Sequence, residues 1–258
     1  MPHIEKHAPG SFNWIELATT DQNAAKQFYG ALLGWETQDF PMGPDGTYTM
    51  FKLDGRDTAG GYQIPSGMAM PPHWELYVAV DSADETAARA AGLGATIIRP
   101  AFDVFNLGRM AVIQDPTGAI FSIWQAISHI GSGIAGESGT LCWADLNTPD
   151  RERSKSFYEA LFGWSFDPGK DTSADPYLHI KNGPAFIGGV VPEAHRNKHA
   201  PPHWLIYFQV ADCDASTAKA AELGGQVYVP PMSIDATVRY SVVADPQGIV
   251  FALFQGSA

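Results

Sequence analysis

A chain of 258 residues is long enough for two domains that each have their own core. Its composition, with 45% hydrophobic and 17% charged residues, is that of a globular protein and excludes a disordered or fibrous chain. The formal net charge of −12, without any run of Lys or Arg, argues against nucleic acid as a partner, because a phosphate backbone would be repelled.

No apolar stretch approaches the roughly 20 residues needed to cross a bilayer, and the segment from Met1 to Lys6 lacks the apolar core of a signal peptide. We therefore expect a cytoplasmic protein without a membrane partner. The two cysteines, Cys142 and Cys213, have no CxxC spacing, so we expect both to be reduced and to take no part in catalysis.

Most of the chain consists of two copies of one pattern. The segment FYGALLGW at positions 28–35 returns as FYEALFGW at 157–164, a shift of 129 (157 − 28). The segment PPHW at 71–74 returns unchanged at 201–204, a shift of 130 (201 − 71). A repeat of this length indicates two structural units of the same kind.

The boundary between the two copies falls in a glycine-containing stretch. We expect an N-terminal domain over residues 1–127, a linker over 128–138 and a C-terminal domain over 139–258.

The first module begins with a strand from Phe12 to Ala18. The capping-box spacing of Thr19 and Gln22 predicts that a helix starts there, and Gly34 is expected to end it. Apolar residues at helical spacing between these points give the helix one buried face.

The second module begins with a strand from His73 to Val80. Ser82 and Glu85 form another capping box before a short Ala-rich helix, expected over Ala87 to Leu93. Two further strands then meet at the turn DPTG, residues 115–118, where Pro and Gly suit the second and fourth turn positions.

In the third module, Thr148 is expected to cap a helix that has Pro149 at its first position. Since each half repeats the same order of elements, the chain should contain four βαβββ modules.

These motifs resemble the vicinal oxygen chelate (VOC) superfamily of glyoxalase I, extradiol dioxygenases and bleomycin-resistance proteins. The resemblance rests on a first strand that runs into Thr19-Thr20-Asp21, on the helix end at 28–35 and on the Asp-Pro-x-Gly hairpin of each half. It covers residues 12–126 and 141–255. It is closest to the actinobacterial two-domain glyoxalase-like proteins of the 27-kDa antigen type.

The resemblance implies an α+β fold in which four βαβββ modules form two cupped, barrel-like mixed sheets with helices outside. We call the concave face of each sheet its cup. Fused VOC domains pair their modules within one chain, so we expect a monomer, with a homodimer as the alternative.

Side chains alternate across a strand, so the residues that face each cup can be assigned. Aromatic walls with a few convergent polar groups are typical of a small-molecule site. The N-terminal cup should hold Trp14, Glu16, His73, Glu75, Tyr77, Ser122 and Trp124. The C-terminal cup should hold Trp143, Asp145, His203, Leu205, Tyr207, Gln209, Ala252 and Phe254.

VOC enzymes usually bind a divalent metal through His or Glu on three or four strands of the cup. In this sequence the matching positions are Trp14, Glu75 and Ser122, with the fourth near Gly60-Gly61-Tyr62. In the second half they are Trp143, Leu205 and Ala252, with the fourth near Gly188-Gly189-Val190. We therefore predict no metal or other cofactor. The metal alternative is a site made of Glu16, His73 and Glu75.

Three hypotheses for function follow from these residues. The first is a metal-independent cup that binds a small aromatic or conjugated molecule between Trp14, Tyr77 and Trp124, with Glu16 and Glu75 orienting it or acting as a base. The second is a divalent-metal lyase, isomerase or dioxygenase that uses Glu75 with Glu16 and His73. The third is a structural or interaction protein whose cups are filled by their own tryptophans.

The remaining aromatic and charged residues have structural explanations beside functional ones. Arg109 and Arg239 could bind an anionic ligand or pair with carboxylates, and His73 and His203 directly follow a Pro-Pro pair that leads into a strand. The tryptophans expected in the core are Trp35, Trp74, Trp164 and Trp204. The histidines without ligand spacing are His3, His7, His195 and His199.

Overall fold

Each half of the chain forms one eight-stranded mixed sheet built from two βαβββ modules. The computed structural model describes residues 4–43, 46–234 and 237–256, so His3 lies outside the described residues. The first half contains β1 Phe12–Thr19, α1 Gln22–Leu33, β2 Glu36–Pro41, β3 Thr47–Leu53, β4 Arg56–Gln63, β5 His73–Ala79, α2 Ala83–Gly92, β6 Thr96–Val104, β7 Gly108–Gln114 and β8 Ile120–Ala126. The second half contains β9 Leu141–Asn147, α3 Arg151–Phe162, β10 Ser165–Asp167, β11 Leu178–Asn182, β12 Ala185–Val190, β13 His203–Gln209, α4 Cys213–Glu222, β14 Gln226–Ser233, β15 Arg239–Ala244 and β16 Val250–Gln255.

The strand order of the first sheet is β2-β3-β4-β1-β5-β8-β7-β6, and the second sheet repeats it as β10-β11-β12-β9-β13-β16-β15-β14. Within each module the first and last strands pair in parallel, as β1 does with β4 and β5 with β8. The two modules of a sheet meet along the antiparallel pair β1 and β5. The predicted α+β fold with four βαβββ modules is confirmed.

The helix ends follow the sequence signals with two corrections. Gly34 ends α1 in the left-handed region at φ 76°, and the Ser82 side chain accepts from the Glu85 amide at the start of α2, as expected. The caps predicted at Thr19 and Thr148 are wrong. Thr19 is the last residue of β1, and Asp21 caps α1 by accepting from the Ala24 amide.

The cap of α3 is Asp150, whose carboxylate accepts from the Arg153 amide at 3.0 Å. The Thr148 hydroxyl accepts from the Asp150 amide instead, so Pro149 precedes the helix and the first helical residue is Arg151. Helix α2 also begins at Ala83 and is longer than its Ala-rich stretch predicted. Among the described residues, no helix combines the length and apolar character needed to span a membrane.

The helix-facing sides of the two sheets share one hydrophobic core. Phe208 of β13 lies between Trp35 and Trp74 of the first half, with ring centroids 5.4 and 5.6 Å away. In the same way, Phe12 of the first half packs against the second half, and its ring centroid lies 5.6 Å from that of Trp164. The tryptophans predicted in the core are buried there: Trp35, Trp74, Trp164 and Trp204.

Reciprocal buried hydrogen bonds join the halves across this core. The Tyr158 hydroxyl donates to Asp115 at 2.9 Å, and the Tyr29 hydroxyl donates to Asp245 at 3.2 Å. Each aspartate also accepts from backbone amides of its own hairpin turn, such as that of Thr117. The Asp-Pro-x-Gly turn of one half therefore anchors a helix of the other half, and these bonds join the two halves across their shared core.

The predicted linker packs against the first sheet. Ile134 is buried, the Ser132 amide donates to the Asn13 carbonyl at 2.7 Å, and the Gly133 amide donates to the Asp57 carbonyl at 2.9 Å. These bonds hold the segment after β8 across the ends of β1 and β4.

Candidate functional site in the two cups

Alternation along β1, β5 and β8 separates core from cup as the sequence predicted. Trp14, Tyr77 and Trp124 form a second hydrophobic cluster with Met50 on the cup side. Residues that belong to the shared core on the other side are Ile15, Leu17, Trp74, Leu76, Phe121 and Ile123.

A carboxylate between two tyrosines lies at the centre of the N-terminal cup. The Tyr48 hydroxyl donates to Glu16 Oε1 at 2.8 Å, and the Tyr77 hydroxyl donates to Glu16 Oε2 at 2.9 Å. Burial raises the pKa of Glu16, and the two tyrosine hydrogen bonds offset part of that rise. The Glu16 carboxylate thus has one donor on each oxygen.

The glycine opposite Glu16 makes this arrangement possible. Gly60 of β4 pairs with Glu16 across the sheet. A Cβ atom on Gly60 would lie 1.8 Å from the Tyr48 hydroxyl oxygen and 3.2 Å from Trp14 Nε1. The Tyr48 ring therefore fills the space that a side chain at position 60 would need.

Glu75 lies beside this centre, because it pairs with Glu16 in the antiparallel register of β1 and β5. The Ser122 hydroxyl donates to Glu75 Oε1 at 2.9 Å, and His73 Nε2 lies 3.4 Å from Glu75 Oε2. The His73 Nδ1 atom is 2.9 Å from the Pro71 carbonyl oxygen. The structure thus brings together Glu16, Glu75 and Ser122, with His73 at the partly exposed edge.

The protonation of His73 depends on these neighbours. Burial by itself lowers the pKa of His73, but the hydrogen bonds to Glu75 and the Pro71 carbonyl and the charges of Glu75 and Glu16 raise that pKa overall. Protonation of His73 would therefore place a positive charge beside Glu75, 3.4 Å from its Oε2 atom.

The opposite end of the N-terminal cup is closed by a residue that the sequence reasoning missed. The His129 ring lies against Trp14 and Trp124, with centroids 4.8 and 6.0 Å away at nearly perpendicular angles. The Trp124 indole N–H donates to the His129 carbonyl at 2.8 Å, and His129 Nε2 lies 3.6 Å from Asp57. His129 follows β8 and lies in the predicted linker, outside both repeats, so strand alternation could not place it.

The C-terminal cup repeats the central arrangement with an aspartate. Tyr177 and Tyr207 donate to the two oxygens of Asp145 at 2.6 and 2.7 Å. The Trp143 indole N–H donates to Asp145 at 3.0 Å and to the Tyr177 hydroxyl oxygen at 2.8 Å. A Cβ atom on Gly189 would lie 1.8 Å from the Tyr177 oxygen, as at Gly60. Tyr48 and Tyr177 were both missed, because they lie on or before strands that we did not assign.

The walls of the C-terminal cup are more apolar. Leu205 and Ala252 stand where the N-terminal cup has Glu75 and Ser122, and Phe254 pairs with Tyr240 on the cup face. His203 Nδ1 lies 2.8 Å from the Pro201 carbonyl oxygen, which is the contact that His73 makes in the first half.

The arginines named from the sequence bind acidic residues of the helices, and the cysteines have raised pKa values. Arg109 forms two hydrogen bonds to Asp84 at 2.7 and 2.9 Å, and Arg239 does the same to Asp214 at 2.8 and 2.9 Å. Arg109 also binds Asp103, and alternation with Met110 places it on the helix side of β7. Burial raises the pKa of the Cys142 thiol to about 12 and also raises the pKa of Cys213, so neither is a ready nucleophile.

The residues at the family's metal positions do not fit a divalent ion. In the N-terminal cup they are Trp14, Glu75 and Ser122, with the fourth near Gly60-Gly61-Tyr62, and only Glu75 has a side chain that commonly ligates such ions. In the C-terminal cup they are Trp143, Leu205 and Ala252, with the fourth near Gly188-Gly189-Val190, and none of these residues has such a side chain. Within the parts of the chain that the structure describes, no cluster of three or more His, Cys, Asp or Glu residues is arranged to hold a metal.

The raised pKa values of Glu16 and Asp145 predict that the difference in stability between wild type and a variant lacking both carboxylates changes with pH. Burial is the main cause in both cases. The folded state then binds protons more tightly than the unfolded state, so these groups stabilise the fold at low pH and lose that contribution as pH rises above their ordinary values of 4.5 and 3.8. In the double variant Glu16→Gln/Asp145→Asn the amides remove this titration, so the variant should gain stability relative to wild type as pH rises.

Urea denaturation of both proteins at about pH 4, 5.5 and 7 measures this change. The exposed double variant Asp81→Asn/Glu85→Gln serves as the control. A stability difference that stays constant over this range would contradict the assignment.

The matches to known proteins cover both cups. The model of the Glyoxalase/Bleomycin resistance protein/Dioxygenase superfamily matches residues 11–123 and again 140–253. The protein CFP32 of Mycobacterium tuberculosis is 40% identical over 258 residues, covering 99% of this chain and 98% of that protein. The anthracycline biosynthesis protein DnrV of Streptomyces peucetius is 33% identical over 266 residues, covering 98% of this chain and 95% of its own.

Two solved structures share the fold at low identity. The Mn(II)-bound glyoxalase from Novosphingobium aromaticivorans superposes with a TM-score of 0.67 at 16% identity, covering 96% of this chain and 84% of its own. A variant of homoprotocatechuate 2,3-dioxygenase from B. fuscum superposes with a TM-score of 0.69 at 15% identity, covering 99% and 74%. With its two family matches and its full-length relatives, this chain belongs to the Glyoxalase/Bleomycin resistance protein/Dioxygenase superfamily.

Proposed function

We propose that this chain binds a small planar organic molecule in its N-terminal cup without a resident metal ion. The observation that carries the proposal is the hydrogen-bonded centre of Tyr48, Glu16 and Tyr77. It stands among the positions that the resemblance to the VOC superfamily assigns to metal ligands, and each Glu16 oxygen already accepts a hydrogen bond from a tyrosine hydroxyl.

The position of the ligand follows from which cup residues retain exposed surface. Because His129 lies against both Trp14 and Trp124, the space between the two indoles is taken. The partly exposed groups lie toward the other end, where Glu75 and Tyr62 stand. We place the ligand there, with the Trp14 cluster as the floor of the site rather than its walls.

A planar aromatic ligand suits the end of the N-terminal cup near Glu75, because aromatic side chains line it. Tyr62 is partly exposed, and Phe102 pairs with Met110 on the cup side with the Arg99 guanidinium 3.7 Å above its ring. Flat faces of this kind favour stacking with conjugated rings. The name of DnrV refers to anthracyclines, which are polycyclic aromatic compounds, and this agrees with a ligand of that class.

Both sequestration and metal-free conversion are compatible with this site. If the ligand is converted, Glu75 is the group that would accept its proton, since it combines partial exposure with the Ser122 and His73 contacts. Glu16 is less suited to that role because both of its oxygens accept tyrosine hydrogen bonds.

Elemental analysis and native mass spectrometry on protein purified without chelator or affinity metal test the proposal. We expect Fe, Mn, Ni and Zn to be well below one atom per chain in wild type and in Glu75→Gln alike. The exposed substitution Glu85→Gln is the matched control.

A stoichiometric metal that is lost in Glu75→Gln but retained in Glu85→Gln would overturn the proposal. That result would instead indicate a metal-dependent lyase, isomerase or dioxygenase. A co-purified small molecule in metal-free protein would support the proposal directly and identify the ligand by its mass.

A further inference from the structure

The same hydrogen-bonding centre is built twice in this chain, in cups whose walls differ. The polar pair of Glu75 and Ser122 in one cup becomes Leu205 and Ala252 in the other, yet the centre persists. Its members are Glu16, Tyr48 and Tyr77 in the first cup and Asp145, Tyr177 and Tyr207 in the second. A centre that is retained while its surroundings change points to a chemical property that both cups share.

That property is a surplus of hydrogen-bond acceptors. A tyrosine hydroxyl has one hydrogen, and in both cups each of these hydrogens is directed at the carboxylate. In the C-terminal cup the Trp143 N–H is directed inward as well. The phenolic oxygens keep unused lone pairs, and a carboxylate can accept about four hydrogen bonds. With its carboxylate ionised, the centre can therefore accept further hydrogen bonds and has no hydrogen left to donate.

The centre of the N-terminal cup is also open to a ligand from solvent. Glu16 and Tyr48 are partly exposed, whereas the aromatic floor beside them at Trp14 and Tyr77 is only 5% and 2% exposed. The second carboxylate, Glu75, pairs with Glu16 in the strand register. A negative group placed against the centre would meet the Glu16 carboxylate and hydroxyls whose hydrogens are already used, whereas a ligand with a hydroxyl would meet free acceptors. The cations at this end of the cup, His73 and Arg99, lie beside Glu75 and over the Phe102 ring.

We propose that the N-terminal cup recognises the hydroxyl group of a neutral phenolic or enolic ligand, which donates its hydrogen to this carboxylate–tyrosine centre. The inference rests on the proposed function and specifies its ligand class: hydroxylated aromatics bind, and aromatic carboxylates do not. Hydrogen-bond donation to the centre takes the place of metal coordination by the ligand oxygen.

Three naphthalene compounds of similar size test this inference on the full chain by isothermal titration calorimetry. They are 2-naphthol, 2-methoxynaphthalene, which keeps the oxygen but lacks the hydrogen, and 2-naphthoate, which is anionic. We expect 2-naphthol to bind about ten-fold more tightly than either of the others, as expected for one hydrogen bond to a charged acceptor.

The double variant Glu16→Gln/Asp145→Asn keeps the shape of both centres but adds amide donors. In this variant the preference for 2-naphthol over 2-methoxynaphthalene should fall to about three-fold or less. The exposed control Asp81→Asn/Glu85→Gln should keep the wild-type preference. The comparison of the three compounds on wild type does not depend on whether the variant folds.

The outcomes separate the inference from the function on which it rests. If 2-methoxynaphthalene or 2-naphthoate binds wild type as tightly as 2-naphthol does, recognition of a donor is overturned while the cup remains a binding site. If none of the three compounds binds, both the donor recognition and the proposed function are overturned, and the cups are filled by their own side chains.

Discussion

Replacing Phe208 with alanine is expected to lower the free energy of unfolding by about 3–5 kcal/mol. The Phe208 ring is fully buried on β13 and contacts Trp35 and Trp74 of the first half as well as Phe251 of the second half, with centroid distances of 5.4, 5.6 and 5.6 Å. Its removal leaves a cavity where the two halves share their core. Urea denaturation followed by tryptophan fluorescence measures the loss.

The matched control for this change is Phe105→Ala. The Phe105 side chain is 77% exposed, so the same substitution should change the free energy of unfolding by about 0.5 kcal/mol or less. A loss of under about 1 kcal/mol at Phe208 would show that the two halves do not depend on this shared core. The wild-type protein should unfold in a single transition, because core and hydrogen bonds cross between its halves.

The second large effect is expected at Gly60, where alanine should lower the free energy of unfolding by about 2–4 kcal/mol. The new methyl group would lie 1.8 Å from the Tyr48 hydroxyl oxygen and would displace it from Glu16. The cost combines overpacking with the loss of one donor from a carboxylate in the cup. Urea denaturation measures the loss of stability, and near-UV circular dichroism reports the change in the packing of Tyr48.

Gly92→Ala is the control for this substitution. Gly92 is the last residue of α2, and a Cβ atom there would have no heavy atom within 4 Å. Alanine at this position should stabilise the protein by about 0.4–1 kcal/mol, because it restricts the unfolded chain. If Gly60→Ala were also neutral or stabilising, Tyr48 would have room to move and the centre would not be tightly held.

Much of the fold could be read from the sequence because it depends on local patterns and on repetition. The shift of 129 or 130 positions between equivalent segments identified two units, and alternation along β1, β5 and β8 correctly separated core from cup. Two helix caps were misplaced because Thr19 and Thr148 compete with nearby aspartates. Asp21 and Asp150 lie closer to the first helical amides and accept from them.

The site was only partly predictable, since its centre joins residues from strands that are distant in the sequence. Glu16, Tyr77 and their repeats were assigned to the cups from alternation, but their partners Tyr48 and Tyr177 were not. Nothing local in a tyrosine on β3 shows that its hydroxyl meets a carboxylate on β1. The sequence also gives no reason for a glycine at position 60, opposite Glu16, because that reason is the position of the Tyr48 ring.

The sequence by itself determined that this chain is a duplicated set of βαβββ modules, and which strand faces line the cups, because periodicity and repetition are properties of the chain alone. Only the tertiary structure decided what fills the cups. Three features depend on contacts between segments that are distant in the sequence. They are the His129 ring against Trp14, the tyrosine pairs around Glu16 and Asp145, and the hydrogen bonds of Tyr29 and Tyr158 to aspartates of the other half. Such contacts arise from packing in three dimensions, which no local pattern encodes.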